Sequence, residues 1–232
     1  MLELFPEGFE EVDRPDGVEL VAYTDAGGEE RLWHAFGAAR GAEVGEGWED
    51  AWRSFHRPVR IGRLWVGPPW EESDPDALAV VVDPGRAFGT GAHPTTRLCL
   101  ELLEDIPRGS VLDVGCGSGV LSIAAAKLGF APIVAVDVEE AAVEAATRNA
   151  AANGVVLDVR RVDALTEQLP PADLAIANIA LAAVEALGAR VIADRLLTSG
   201  YLQADEPDLP DWNRVDARRL EGWAADLFER PA

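Results

Sequence analysis

The chain has 232 residues, and its formal net charge of −21 at pH 7 argues against a surface that binds phosphates. Because Lys and Arg supply most of the affinity of proteins for nucleic acids, DNA and naked RNA are not expected as ligands. The length suits one full domain with a small addition, and the apolar content is sufficient for a core. The acidic charge would attract a basic partner, although general acidity for solubility explains it equally well.

The sequence indicates neither a targeting segment nor a metal site. Residues 1–7 lack the basic and apolar regions of a signal peptide, and polar or breaking residues at 127–132 interrupt the longest apolar run. The two cysteines, Cys99 and Cys116, lack the spacing of a metal or redox motif. We therefore predict a cytoplasmic protein with reduced thiols, no metal and no membrane contact.

The N-terminal third predicts a small β-rich segment followed by a connector. Residues 18–23 and 31–36 have the composition of two strands joined by a turn, which indicates a hairpin. The Gly- and Ala-rich stretch 37–47 breaks this pattern, so we expect a reduced N-terminal domain at 1–46. Residues 47–75 form a Trp-rich connector, whose aromatic side chains are expected to pack rather than to form a ligand cage.

From residue 78 onward, strand-like and helix-like segments alternate, which predicts an α/β domain at 76–232 with a mostly parallel sheet. The predicted strands lie at 78–83, 110–114, 132–137, 155–160, 173–178 and 196–203, and the predicted helices at 94–105, 118–129, 139–153 and 181–193. Pro207 and Pro210 lie in a connection too short for a crossover helix. The sheet is therefore predicted to end in antiparallel strands near 214–220 and 222–229.

A glycine loop joins the second of these strands to the helix that follows it. Val111 and Leu112 indicate a buried strand, and Gly115, Gly117 and Gly119 follow within one short loop. Strand, glycine loop and helix form the entrance of a Rossmann-like unit, in which glycine lets a ligand approach the main chain. A dinucleotide loop would need a glycine at position 120, where the chain has valine.

The spacing G-x-G-x-G after Asp113 is instead similar to that of class I S-adenosylmethionine methyltransferases, whose cofactor has no phosphate. Asp137 ends the next predicted strand, where a carboxylate can accept both ribose hydroxyls of a nucleoside. The alternative is a chance glycine loop with a surface aspartate.

Two segments together resemble the signature of the PrmA family, the methyltransferases of large-subunit ribosomal protein eleven. They are 84–100, which reads PGRAFGTGAHPTTRLCL, and 113–119, which reads DVGCGSG. Residues 48–70, 177–179 and 197–202 also resemble the family. The resemblance implies a Rossmann-like enzyme that moves methyl groups from S-adenosylmethionine to lysine ε-amines and the N-terminal α-amine of that ribosomal protein. We expect a monomer.

The resemblance implies cofactor contacts by Thr96, Gly115, Asp137 and Asn178. Thr96 begins a helix, where a hydroxyl and free N–H groups can hold the methionine carboxylate, although a plain helix cap is equally compatible. Gly115 lets the backbone come against the cofactor, and Gly117 is similarly placed. Asp137 is expected to bind the ribose.

Asn178 is the candidate catalytic residue. It ends a predicted strand at the carboxyl edge of the sheet, where open α/β folds bind ligands. Its amide oxygen can orient the lone pair of an amine toward the methyl group of the sulfonium. The alternative is an asparagine that only forms a turn.

Four further residues have weaker assignments. Phe88 is expected to cover the cofactor or to pack, and Asp163 to accept a hydrogen bond from the adenine amino group or to be an ordinary loop residue. His93 is expected to fix the loop geometry rather than to act as a general base. Cys116 is not expected to be a nucleophile, because the chemistry needs no covalent intermediate.

The family's N-terminal recognition domain begins with a strand and a helix that this sequence is expected to lack, so the resemblance implies least about the substrate. Three functions stay open. The chain is a methyltransferase of the ribosomal protein, a class I methyltransferase of another protein or small molecule, or a non-catalytic binding protein associated with the ribosome.

Overall fold

A computed structural model describes residues 10–14, 17–21, 31–33, 35–36, 57–83 and 91–231. The chain divides into two compact units, Met1–Trp52 and Arg53–Ala232. The division falls inside the predicted connector 47–75, and the predicted domain boundaries stay predictions. The Trp-rich stretch 48–55 lies outside the described residues.

The described residues of the N-terminal unit include a hairpin, which lies earlier in the chain than predicted. Strands β1 (Glu10–Arg14) and β2 (Gly17–Val21) pair antiparallel, with Glu10 opposite Val21. The segment 31–36, predicted as a strand, is helical at 31–33 and 35–36. Leu32, Ala35 and Phe36 have the i, i+3, i+4 spacing of one helical face, so the strand prediction was wrong about the period.

A separate three-stranded sheet opens the second unit. It contains β3 (Val59–Ile61), β4 (Leu64–Gly67) and β5 (Leu78–Val81), with β3 antiparallel and β5 parallel to β4. The predicted strand at 78–83 therefore does not join the main sheet. All four residues of β4 are buried, so other residues must pack on both faces of this strand. Strand β5 pairs with it along one edge.

Among the described residues, the main sheet has seven strands: β6 (Val111–Val114), β7 (Ile133–Asp137), β8 (Asp158–Arg161), β9 (Ala172–Asn178), β10 (Ala193–Leu202), β11 (Asn213–Leu220) and β12 (Trp223–Glu229). Their order in the sheet is β11-β12-β10-β9-β6-β7-β8. Strands β6 to β10 run parallel, and β12 runs antiparallel to β10 and β11, which confirms the predicted Rossmann-like sheet with an antiparallel end. Four helices accompany the strands among the described residues: α1 (Pro94–Asp105), α2 (Val120–Leu128), α3 (Glu140–Ala152) and α4 (Leu181–Gly188).

Local sequence explains where the helices begin and end. Helix α1 starts at Pro94, where a fixed φ and a missing N–H cost nothing, and His93 caps it. Helix α2 lies between Gly119 and Gly129, which both adopt the left-handed conformation. Helix α4 stops at Gly188, earlier than the predicted 193, because β10 already begins at Ala193.

The strand order creates a crevice at the carboxyl edge of the sheet. Strand β6 lies between β7 and β9, so the chain continues to one side of β6 and later returns to its other side. Ligands of open α/β sheets bind outside such a switch point. In the part of the chain that the structure describes, no helix is both long enough and apolar enough to cross a membrane.

Candidate active site

A cavity of about 320 Å³ opens at the carboxyl ends of β6, β7 and β9. Its volume lies within the range of small-molecule sites. Five residues that the sequence assigned to the site line it: Thr96, Gly115, Gly117, Asp137 and Asn178. The other lining residues are Asp113, Cys116, Val120, Leu121, Val138, Glu139, Ala141, Ala142 and Ile179.

The glycine loop forms the floor of this cavity in a conformation that glycine favours. Gly115, Gly117 and Gly119 have φ values of +71°, +54° and +80°. A Cβ at Gly119 would lie 3.0 Å from the Cβ of Ala146, so α3 packs directly against the loop. The loop therefore needs glycine both for its turn and for the close approach of a helix.

Asp137 joins the loop to β7. Its carboxylate accepts hydrogen bonds from the backbone N–H of Gly117 at 2.9 Å and of Glu139 at 3.0 Å. An ionised carboxylate has roughly four acceptor positions, so two remain for the hydroxyl groups of a ribose. Asp137 lines the cavity while these bonds fix its orientation.

Thr96 and Asn178 contact each other in the wall of the cavity. Thr96 lies in the first turn of α1 and is 1% exposed. The amide nitrogen of Asn178 donates to the hydroxyl of Thr96 at 3.5 Å. This contact engages the amide nitrogen, so the amide oxygen is the atom that can face an incoming amine.

The loop after Asn178 is held between two glycines. A Cβ at Gly115 would lie 2.5 Å from Cγ2 of Ile179, and a Cβ at Gly200 would lie 2.2 Å from the carbonyl oxygen of Ile179. The N–H of Ile179 also donates to the carbonyl of Ser199 at 3.1 Å. Gly200 lies at a β-bulge of β10 with φ +100°, so the backbone beside Asn178 depends on a residue without a side chain.

The charged residues that line the cavity are acidic. Asp113, Asp137 and Glu139 line it, and none of the fourteen described residues that form its wall is Lys or Arg. Asp113 is 1% exposed, and the hydroxyl of Ser122 donates to its carboxylate at 2.6 Å. Burial raises the pKa of Asp113 to about 6, so this carboxyl is mostly ionised at neutral pH. The wall disfavours a phosphate and favours a cation.

His93 stabilises the start of α1. Its Nδ1 accepts a hydrogen bond from the backbone N–H of Thr95 at 3.4 Å and lies 2.8 Å from the Thr95 hydroxyl. Its ring meets the ring of Trp223 edge to face, 4.9 Å between centroids. Burial lowers the pKa of His93, partly offset by the charge of Glu221. These contacts favour the predicted role in loop geometry.

Two sequence assignments, for Phe88 and Asp163, receive no support from the described residues, whereas the expectation that Cys116 is not a nucleophile agrees with the structure. Phe88 lies outside the described residues. Asp163 does not line the cavity, and its carboxylate accepts from the N–H of Leu165 at 3.0 Å and the hydroxyl of Thr166 at 2.8 Å, so its contact with adenine stays a prediction. Cys116 lines the cavity, but burial raises the pKa of its thiol, which therefore remains protonated and a poor nucleophile.

Sequence reasoning missed residues that contact the segments forming the cavity. Gly200 and Ile179 were interpreted only as parts of matching segments, and two asparagines, one in α3 and one at its C-cap, were not singled out. Asn149 and Asn153 stand four residues apart in an alanine-rich stretch, a helical spacing that could have indicated a shared buried face.

Comparisons with known proteins identify the family that the chain matches. Residues 29–205 match the family model described as ribosomal protein L11 methyltransferase (PrmA). A relative with that name from Symbiobacterium thermophilum is 41% identical over 204 residues, which cover 80% of this chain and 66% of the relative. Another from Legionella pneumophila strain Lens is 40% identical over 195 residues, which cover 78% of this chain and 68% of the relative.

A solved structure is also similar. The ribosomal protein L11 methylase from Lactobacillus delbrueckii subsp. bulgaricus superposes with a TM-score of 0.67 at 28% identity, covering 76% of this chain and 100% of the other. The chain spans about two thirds of the length of the two curated relatives.

Proposed function

The chain belongs to the ribosomal protein L11 methyltransferase family, and we propose that it transfers methyl groups from S-adenosylmethionine to amines of ribosomal protein L11. The observation that carries this proposal is the convergence of Thr96, Gly115, Asp137 and Asn178 on one acidic cavity at the switch point of the sheet.

The residues of the cavity fit S-adenosylmethionine. This cofactor has a sulfonium and an ammonium group and no phosphate, which suits a wall with three carboxylates and no basic residue among the described lining residues. Asp137 would accept the ribose hydroxyls, and Gly115 and Gly117 would lie against the nucleoside. Thr96, in the first turn of α1, would hold the carboxylate. The bound cofactor supplies an activated methyl group on its sulfonium.

Asn178 would orient the methyl acceptor. Its amide oxygen accepts an N–H from a neutral amine and so aims the nitrogen lone pair along the line of displacement. Holding two reactants at near-attack distance is a large part of catalysis for such a reaction. As the nitrogen becomes positive in the transition state, the amide dipole stabilises that charge. Asn178 thus serves both orientation and electrostatics, without proton transfer to a side chain.

The proposed substrate is L11 itself, at lysine ε-amines and the N-terminal α-amine. The names of the relatives support L11, and the net charge of −21 would attract a basic protein. With a ribosomal protein as substrate, the enzyme would act in the cytoplasm. We propose a monomer that binds neither DNA nor a membrane.

The test is to incubate the purified chain with S-adenosylmethionine and free L11 and to follow the intact mass of L11. We expect steps of one methyl group each. Asn178→Ala should suppress the steps, whereas Asn213→Ala, which changes an exposed asparagine of β11, should not. An unchanged L11 mass with cofactor bound to the enzyme would reject L11 as substrate and favour another methyl acceptor.

A further inference from the structure

Helix α3 and its C-cap residue carry two buried amide side chains beside alanines. Asn149 and Asn153 are 5% and 8% exposed. The other buried residues of the helix are Ala142, Ala145, Ala146 and Ala150. Alanine forms helices more readily than asparagine, and a buried amide costs free energy unless its polar atoms are hydrogen-bonded. The hydrogen bonds of these two amides therefore indicate what each residue contributes.

Asn153 holds strand β5. Its amide oxygen accepts from the backbone N–H of Val81 at 2.8 Å, and its amide nitrogen donates to the carbonyl of Val81 at 2.6 Å. The side chain thus takes the place of a neighbouring strand. None of the hydrogen bonds made by its side chain reaches the glycine loop, so the role of this side chain is local to β5 and α3.

Asn149 has partners in two different segments. Its amide nitrogen donates to the carbonyl of Ser118 at 2.9 Å, and its amide oxygen accepts from the backbone N–H of Asp83 at 3.3 Å. Ser118 lies in the glycine loop, between Gly117 and Gly119. A single amide therefore joins the floor of the cavity to the chain that leaves β5.

A displacement of Ser118 would also move its two neighbours in the glycine loop, Gly117 and Gly119. On one side of it, the N–H of Gly117 donates to Asp137, the residue assigned to the ribose. On the other side, Gly119 packs on Ala146 of the same helix, with a Cβ at Gly119 falling 3.0 Å from the Ala146 Cβ. Helix α3 thus supports the loop at two adjacent points, one steric and one polar.

We propose that Asn149 is a positioning residue for the cofactor: its amide fixes the glycine loop at Ser118 relative to the segment at Asp83, and so sets the geometry of Gly117 and Asp137. The proposal rests on the proposed function in assuming that S-adenosylmethionine binds in the cavity. It does not depend on the identity of the methyl acceptor.

The test compares Asn149→Ala, Asn149→Asp and the control Asn153→Ala. The affinity for S-adenosylmethionine is measured by calorimetry without any acceptor, beside the melting temperature of each variant. Asn149→Asp keeps the shape and the acceptor for the Asp83 N–H but places an oxygen against the carbonyl of Ser118. We expect both Asn149 variants to bind about tenfold more weakly, since each removes the hydrogen bond that the Asn149 amide donates to the carbonyl of Ser118. Asn153→Ala should lose melting temperature but bind within about twofold of wild type.

The outcomes distinguish positioning from packing. Weaker binding by Asn149→Asp at a melting temperature equal to or above that of Asn153→Ala would establish the role, even if Asn149→Ala fails to fold. Equal cofactor affinity in Asn149→Asp and wild type would overturn it, as would weakening by Asn153→Ala of the same size. Binding by wild type without methylation of L11 would reject only the substrate, whereas absence of binding by wild type would overturn both proposals.

Discussion

The buried, ionised carboxylate of Asp113 lowers the free energy of unfolding at neutral pH, and a single isosteric substitution should remove this destabilisation. Burial raises the pKa of its carboxyl from 3.8 to about 6. Between about pH 4 and 6 the folded state therefore binds more protons than the unfolded state, and stability falls as the pH rises through this window. At about 1.4 kcal/mol for each pKa unit, the ionised carboxylate costs roughly 3 kcal/mol at neutral pH.

Asp113→Asn removes the ionisation and keeps an oxygen that can accept the hydroxyl of Ser122. In urea titrations of the ligand-free protein, we expect the variant to be more stable than wild type at pH 7 by about 2 kcal/mol, allowing for an imperfectly bonded amide. The difference should shrink toward zero as the pH falls to about 4. A variant that is less stable at pH 7, or a difference that does not change with pH, would refute this reasoning.

Asp173 provides a control of opposite sign. Its carboxylate accepts from the N–H and the hydroxyl of Ser110, both at 2.6 Å, and these bonds lower its pKa. A lowered pKa contributes stability above the unfolded pKa that is lost as the pH falls through the folded pKa. Asp173→Asn should therefore lower stability at pH 7, and its deficit should shrink on acidification. Both variants remove one negative charge, so a general effect of charge removal would change their stabilities in the same direction. Opposite changes would instead reflect the opposite signs of the two pKa shifts.

The remaining predictions concern the site. Asn178→Ala should lower kcat while leaving the Kd for S-adenosylmethionine largely unchanged, and Asp137→Ala should mainly raise that Kd, because only Asp137 is assigned to the ribose. Calorimetry beside steady-state kinetics measures the two effects, and equal loss of affinity in both variants would reject the division of roles. Gly200→Ala places a Cβ 2.2 Å from the carbonyl of Ile179, so the backbone beside Asn178 must shift. We expect kcat to fall by roughly tenfold to a hundredfold with a smaller change in Kd, and an unchanged kcat would show that the loop tolerates the shift.

The cofactor loop was predictable because its requirements are local. A buried strand, three glycines with positive φ and a helix follow one another within the segment 111–128, and each is encoded by its own residues. The antiparallel end of the sheet was predictable for a similar reason, since the segment 203–213 is too short for a crossover. Thr96 and Asn178 were found through the resemblance rather than from spacing.

Other features depend on contacts distant in the sequence. Strand β5 has the composition of a sheet strand, but its partner β4 decides which sheet it joins. The segment 31–36 is too short for its period to distinguish strand from helix. Asn149 looked like an ordinary helical residue, because its partners at Asp83 and Ser118 are 66 and 31 positions away.

The acidic cavity at the switch point of the sheet should bind a nucleoside cofactor that has no phosphate. Calorimetric titration of the purified chain with S-adenosylmethionine, and separately with NAD and with ATP, measures this selectivity. We expect one S-adenosylmethionine bound per chain, with weaker binding by Asp137→Ala, and no measurable binding of either phosphate-bearing ligand. Preferential binding of NAD or ATP would show that the cavity is not a site for S-adenosylmethionine.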